Sequence, residues 1–376
     1  MDSPFIFAKE VTGEAFVGRK EELAWLASNI ANAQNTVLIA PDKWGKTSLI
    51  NLAIIQAQKQ NFELKICKIN LFNVRDEQDF YTVFAENLIK TISSTTGDWE
   101  QNVKQFLPQS APQVLVNERK QNAMKLEFTN ESITAYRDEI LNLPVQIVET
   151  LGGKLMICFE EFQHIADMEA PLDTQQKIRS TWEQQPNVGY LISGGKKHLM
   201  RELFEDPKGV FYKFGDILYL EKIDDRLLTD YMIKAFSKSG RVINKEFSEK
   251  ISNHVKCHPY YVQQLAHLVW LNTKGFVNDL AYETACEDLL NHNEHFFQKE
   301  TDGLTNPQIN FLKAIIDGVD RFTSAEVLIG YKLNSSANVA RVRGALEKKE
   351  LLEFIKNKPY FIDPVFQIWF TQRFMR

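Results

Sequence analysis

The 376 residues hold only four cysteines, and Cys67, Cys158, Cys257 and Cys286 stand far apart with no Cys-x-x-Cys pair among them. That spacing indicates neither a zinc site nor a disulfide framework, and a reducing cytoplasm is the expected setting. No stretch approaches the eighteen or so apolar residues that a membrane helix needs, so no membrane partner is expected. The opening Met1-Asp2-Ser3-Pro4 lacks a positive segment followed by an apolar core, which predicts a chain that is not exported. Excess positive charge is missing too: 44 Lys and Arg face 49 Asp and Glu, a formal net charge of −5. This argues against coating of nucleic acid through bulk charge, while a local basic face could still bind it. What remains, 44% hydrophobic and 25% charged, is ordinary for a folded chain, and the length allows two or three domains.

The strongest local pattern is Val37-Leu38-Ile39-Ala40-Pro41-Asp42-Lys43-Trp44-Gly45-Lys46-Thr47-Ser48, an apolar run feeding a tight loop that feeds a helix. It fits the phosphate-binding pattern of Gly or Ala, four residues, then Gly-Lys-Ser/Thr. Composition alone produces such a string roughly 0.03 times in a chain of this length, so accident is a poor explanation. Gly45 lets the backbone pass close to a phosphate, and the first-turn N–H groups favour negative charge. Lys46 reaches the β and γ phosphates, and Thr47 offers a hydroxyl to Mg²⁺. A Lys at a helix start opposes the macrodipole unless an anion compensates it. Residues 40 to 48, from Ala40 through Pro41, Asp42, Lys43 and Trp44 to Ser48, are therefore the expected nucleotide cradle.

Upstream, Phe16-Val17-Gly18-Arg19-Lys20-Glu21-Glu22-Leu23 opens an amphipathic helix with Leu23, Leu26, Ala27 and Ile30 at helical spacing. Together with Ile39-Ala40-Pro41-Asp42-Lys43-Trp44-Gly45-Lys46-Thr47-Ser48-Leu49-Ile50, this opening resembles the AAA+-related and STAND-type P-loop ATPases, especially the archaeal-type group. The closing Phe361-Ile362-Asp363-Pro364-Val365-Phe366-Gln367-Ile368-Trp369-Phe370 resembles the Asp-Pro and Trp ending of the same ATPases. The resemblance implies an α/β fold: a P-loop NTPase core with a parallel sheet over 1–221, a helical lid domain over 222–300, and a C-terminal winged-helix domain over 301–376. It implies ATP or ADP with Mg²⁺ as ligands, and places Val17 and Gly18 beside the adenine. A turn before a surface helix is the plainer reading of those two residues.

Leu155-Met156-Ile157-Cys158-Phe159-Glu160-Glu161-Phe162 reads as a buried strand with acids at its C-terminal edge, where open α/β sheets place ligands. By the resemblance Glu160 holds Mg²⁺ and Glu161 orients or deprotonates the attacking water. The usual first acid is Asp, and the extra methylene of Glu160 moves the carboxylate outward by on the order of 1.5 Å. Val188 to Gly195 reads as another core strand. Ser193 at its end either contacts the γ-phosphate or the water, or is a turn residue before Gly194-Gly195. Ile217 to Leu220 reads as the last core strand; Lys213, the nearest basic residue before it, lacks the planar fork of an arginine finger. Residues 94 to 135, polar and rich in breakers, read as a surface insertion.

In the helical stretch, His258-Pro259-Tyr260-Tyr261 resembles the lid turn of STAND-like ATPases. Either His258 or Pro259 contacts adenine or ribose, or Pro259 simply begins a helix. Aromatics Tyr260, Tyr261, Trp270 and Phe276 are expected to pack the lid. Over 304–376, three helices and a hairpin predict the winged helix. Asn338, Arg341 and Arg343 of its third helix and Lys356 and Lys358 of its wing are candidate DNA contacts. The stretch carries 11 Lys or Arg against 7 Asp or Glu, +4, which is modest for a DNA reader, and a protein partner is the other reading.

The sequence thus predicts an ATP-binding and ATP-hydrolysing switch that couples nucleotide state to the arrangement of lid and winged helix. Two alternatives remain: a nucleotide-binding regulator with little turnover, and an interaction scaffold. Ala40 for Gly, Glu160 for Asp and the acid Asp42 inside the loop are the departures that keep them open. Oligomeric state is left undetermined by the sequence.

Overall fold

A computed structural model describes residues 2–117, 123–128, 135–168 and 172–375. The chain divides into two compact units, one made of Arg19–Asp42 and Lys46–Leu220, the other of Met1–Gly18, Lys43–Gly45 and Glu221–Arg376.

The first unit is α/β. In chain order it contains α1 (Lys20–Ala31), β1 (Thr36–Ile39), α2 (Lys46–Gln60), β2 (Leu64–Asn70), α3 (Glu77–Thr91), α4 (Thr96–Phe106), β3 (Gln113–Asn117) and β4 (Ala123–Glu127). There follow α5 (Arg137–Leu151), β5 (Lys154–Glu160), α6 (His164–Asp167), α7 (Leu172–Trp182), β6 (Val188–Gly194), α8 (Lys197–Phe204) and β7 (Asp216–Tyr219). Five strands form a parallel sheet in the order β2-β5-β6-β1-β7. Position in that order accounts for the residues each strand carries. Central β1 and β6 are buried throughout and read as continuous apolar runs, because helices cover both faces. Edge strands β2 and β7 carry Lys65, Lys68 and Asp216 instead.

An aromatic stack fastens the helices to the sheet. Trp182 on α7 stacks on Tyr190 of β6 at 4.2 Å between centroids and on Phe159 of β5 at 5.2 Å, with Phe80 and Phe84 of α3 beside them. Each such pair contributes about 0.5–1.5 kcal/mol beyond its burial. The stretch expected as a surface insertion contributes to this core. A capping box of Thr95 and Asp98 starts α4, whose Trp99, Val103 and Phe106 join the same apolar cluster. An antiparallel hairpin β3–β4 follows; residues 118–122 and 129–134 of the expected insertion lie outside the described residues.

The second unit is mostly helical: α9 (Asp225–Lys238), α10 (Lys245–His254), α11 (Pro259–Asn272) and α12 (Asp279–Asp302). Then come α13 (Asn306–Ile316), α14 (Ala325–Gly330), α15 (Ser336–Lys348), the hairpin β8 (Leu352–Ile355) with β9 (Lys358–Phe361), and α16 (Pro364–Trp369), which runs into a π-helical turn at Phe370–Phe374. The three helices and hairpin expected near the C-terminus are thus α13, α14, α15 and β8–β9, the last pair antiparallel. Side-chain caps define the starts: Asn244 for α10, Asn278 for α12, Ser335 for α15 and Asp363 for α16, each worth about 1 kcal/mol. The N-terminal arm belongs here too, with Phe5 buried against Phe236 and Tyr231.

Candidate nucleotide site

Parallel register brings the expected site residues of the first unit to one end of the sheet. Leu38 and Ile39 of β1 lie beside Ser193 and Gly194 of β6, and Phe159 of β5 lies beside Ile192. The loop after β1, the acids after β5 and the turn after β6 therefore leave the sheet at the same C-terminal edge.

Lys46 opens α2, with Thr47 and Ser48 in the same first turn. Its ammonium donates to the carbonyls of Ala40 at 2.8 Å and Pro41 at 3.0 Å and to the Asp42 carboxylate at 3.2 Å. The lysine that should meet phosphate is thus folded over its own loop, and Asp42, the acid in that loop, neutralises it. Because the Asp42 side chain is 69% exposed, the pair is a solvent-screened one that an incoming phosphate can displace. Gly45 has φ +86° and open space where a Cβ would stand, so backbone conformation rather than room calls for glycine there. Gly195 is the reverse case: a Cβ on it would lie 2.3 Å from Asp42 Oδ1 and 3.5 Å from Lys46 Nζ. The β6 exit therefore reaches the phosphate loop, which the sequence motif alone does not reveal.

Glu160 ends β5 half-buried, and Asn70 on the neighbouring strand β2 donates to its Oε2 at 3.3 Å. Glu161 follows in a left-handed conformation, φ +56°, and Gln163 donates to its Oε2 at 2.6 Å. The Phe162 amide donates to the Ser193 carbonyl at 3.0 Å. Ser193 is 3% exposed and its hydroxyl donates to the Phe159 carbonyl at 3.0 Å, so its remaining capacity is as an acceptor. Among the described residues no group of three or more His, Cys, Asp or Glu is placed to hold a metal ion. The donor set of one carboxylate, Glu160, and one hydroxyl, Thr47, suits Mg²⁺, which keeps most of its waters and takes few protein ligands.

The remaining expected residues fall in the second unit. Val17 packs on that unit's apolar cluster and Gly18 lies beside Ile223. Lys43, at φ +62°, places its ammonium 4.7 Å from the Tyr260 ring centre and 5.9 Å from that of Tyr261. Trp44 meets His258 edge-to-face at 5.7 Å. His258 precedes Pro259 at the start of α11 and is 5% exposed. Burial, reinforced by the positive charges of Lys43 and Lys222, pushes its pKa down to about 3, so the imidazole is neutral. Tyr261 hydrogen-bonds through its hydroxyl to Asp363, whose other oxygen caps α16 at the Val365 and Phe366 amides. Burial holds the Asp363 carboxyl above the usual range. In the first unit Asn70, Gln163 and Gly195 are neighbours of these residues that the sequence did not single out. The only sequence signals were a polar residue two positions after the acid pair and the Gly-Gly after β6.

The profile of the KAP family P-loop domain matches residues 28–330. No curated protein sequence matches the chain. Among solved structures, the Walker-type ATPase PABY2304 of Pyrococcus abyssi is similar over 98% of this chain and 99% of its own, with a TM-score of 0.66 and 15% identity. The ORC2 protein of Aeropyrum pernix in ADPNP and ADP complexes is similar over 93% of this chain and 90% of its own, with a TM-score of 0.54 and 15% identity. At such identities the likeness is one of fold.

Proposed function

The chain belongs to the KAP family of P-loop NTPases, and from that premise we propose that it is a Mg²⁺-dependent ATP-binding and ATP-hydrolysing switch of AAA+/STAND-like type. The observation that carries this reading is the meeting, at one sheet edge, of a Gly-Lys-Thr helix start with a pair of carboxylates from the second strand over.

In this reading the backbone N–H groups from Asp42 to Ser48 and the Lys46 ammonium take the β and γ phosphates, Pro41, which has no N–H, shaping the loop, with Lys46 leaving Asp42 to do so. Thr47 and Glu160 would hold Mg²⁺, whose charge would offset that of the phosphates. Glu161 orients a water whose oxygen bonds to the γ-phosphorus. The bond to the β–γ bridging oxygen breaks, its electron pair leaves with ADP, and the water proton goes to Glu161. Ser193 accepts a hydrogen bond from that water or holds the turn that frames it. Val17, Gly18, His258 and Pro259 are assigned to the base and ribose, and a neutral His258 suits an uncharged purine. The α13–α15 helices with β8–β9 are read as a winged helix whose arrangement the nucleotide biases through differential contacts in two states. Four free cysteines, Cys67 and Cys158 buried with thiol pKa values raised by burial, fit the reducing cytoplasm as its place of action.

The alternative of a regulator with little turnover draws support from the Asp42–Lys46 pair and from Glu160 in place of Asp. The deciding experiment is the melting temperature of wild type and Lys46→Ala with and without Mg²⁺-ATP. Ligand at about 100 times its Kd stabilises the native state by roughly 2.7 kcal/mol, several degrees for such a chain. A shift in wild type alone is expected. Phosphate release in wild type that disappears in Glu161→Gln then marks an enzyme, and its absence from both marks the low-turnover regulator. No shift in either protein abandons the nucleotide reading for an interaction scaffold.

A further inference from the structure

We propose that Gln163 is a positioning residue for hydrolysis, holding the Glu161 carboxylate so that Oε1 is the oxygen presented to the attacking water; the inference rests on the hydrolytic reading above. Glu161 stands in a left-handed backbone conformation that non-glycine residues rarely adopt, so its surroundings must hold it there. The Phe162 amide on the Ser193 carbonyl at 3.0 Å and the His164 amide on the Glu161 carbonyl at 3.1 Å fix the turn's backbone. Among the described residues the carboxylate itself receives one bond, from Gln163 Nε2 to Oε2 at 2.6 Å.

That bond is directional. A carboxylate only accepts, so the amide must turn its nitrogen toward Glu161 and its oxygen away. Gln163 is 2% exposed, and its Oε1 is buried without a donor among the described residues. A Cβ on Gly194 would stand 2.6 Å from that oxygen, so the amide fits because β6 ends in a residue without a side chain. A residue kept for packing alone would be apolar, since a buried amide with an unsatisfied oxygen costs stability. The geometry therefore assigns the amide to Glu161, its one side-chain partner among the described residues. With Oε2 engaged, Oε1 of Glu161 carries no hydrogen bond among the described residues and remains to receive the proton. Orientation of a catalytic group by a buried neighbour is worth roughly 10–100-fold when the neighbour is removed.

The test uses the full chain with Mg²⁺-ATP and compares wild type, Glu161→Gln, Gln163→Leu and Gln163→Glu. Gln163→Leu keeps the volume and removes the donor. Its kcat should fall roughly 10–100-fold with KM and the ATP-induced thermal shift unchanged. Gln163→Glu places a second carboxylate against Glu161, and the acidic limb of its pH–rate profile should move to higher pH, because two carboxylates that close share a proton. A packing role would produce neither the kcat-only loss nor the displaced limb. Gln163→Leu turning over within twofold of wild type, with Glu161→Gln inactive, overturns the positioning role and leaves the hydrolytic reading intact. A folded wild type that binds ATP and releases no phosphate overturns both.

Discussion

At the scale of single residues, the loop's charge balance is decided by one acid. Asp42 shares Lys46 with two carbonyls, and on the proposed reading a phosphate that enters must displace it. Asp42→Asn removes the competitor and the repulsion together. It should tighten Mg²⁺-ATP binding about threefold to tenfold, on the order of 1 kcal/mol, an exposed pair's worth. Titration at 50 and 300 mM salt checks this, since the gain should shrink as the Debye length shortens. An unchanged Kd at low salt would show that Asp42 swings clear at no cost. The strand, loop and helix start around Lys46 and Thr47 were legible in the sequence because such an element order is set by neighbours along the chain. Gln163 and Gly195 were not, because the partners that give them meaning, Glu161's carboxylate across a tight turn and Asp42 across from another strand, are brought near only by the fold.

Among elements, the same contrast separates central strands from the rest. β1, β5 and β6 are apolar runs because both faces are covered, so they were readable without a structure. The 94–135 stretch was not. Its core-facing Trp99, Val103 and Phe106 are spread over a polar helix, and breakers around it masked a capping box. The N-terminal arm was equally silent, since one buried Phe5 in an irregular segment makes no period. The start of α11 carries a testable charge effect. His258 has a folded pKa near 3 against about 6.5 when unfolded, so the unfolded chain binds more protons between those values. The stability this confers is complete above about pH 6.5 and is lost as pH falls toward 3. Glu300, pushed up to about 7 by desolvation and by Asp363, and Asp363 itself, raised by burial, act in the opposite sense, gaining stability as pH falls. His258→Gln isolates the histidine. Between pH 7 and 4.5 the variant should lose less stability than wild type, by up to roughly 2 kcal/mol, in urea melts at each pH. Parallel curves would show that His258 takes up its proton without disturbing the fold.

For the molecule as a whole, a net charge of −5 coexists with a C-terminal stretch, 304–376, in which 11 basic residues face 7 acidic ones. Whether that local excess reads DNA depends on which cations are available. Arg343 is committed: its guanidinium lies 4.3 Å over the Phe354 ring and donates to Asn357 at 2.6 Å, tying α15 to the hairpin. Asn338 donates to the Leu333 carbonyl at 3.0 Å and so belongs to the start of its own helix. Arg341, Lys356 and Lys358 are exposed. If this face binds duplex, those three should supply the counterion release, about 0.9 units of salt slope each. Replacing all three with Ala should flatten the log K against log salt plot by roughly 2.7, while Arg343→Ala should act mainly by lowering the melting temperature. A wild-type chain that shows no duplex binding at low salt would turn the same surface over to a protein partner. Three point charges set against an acidic whole cannot hold nucleic acid without specific contacts, but they suffice to orient an acidic protein surface.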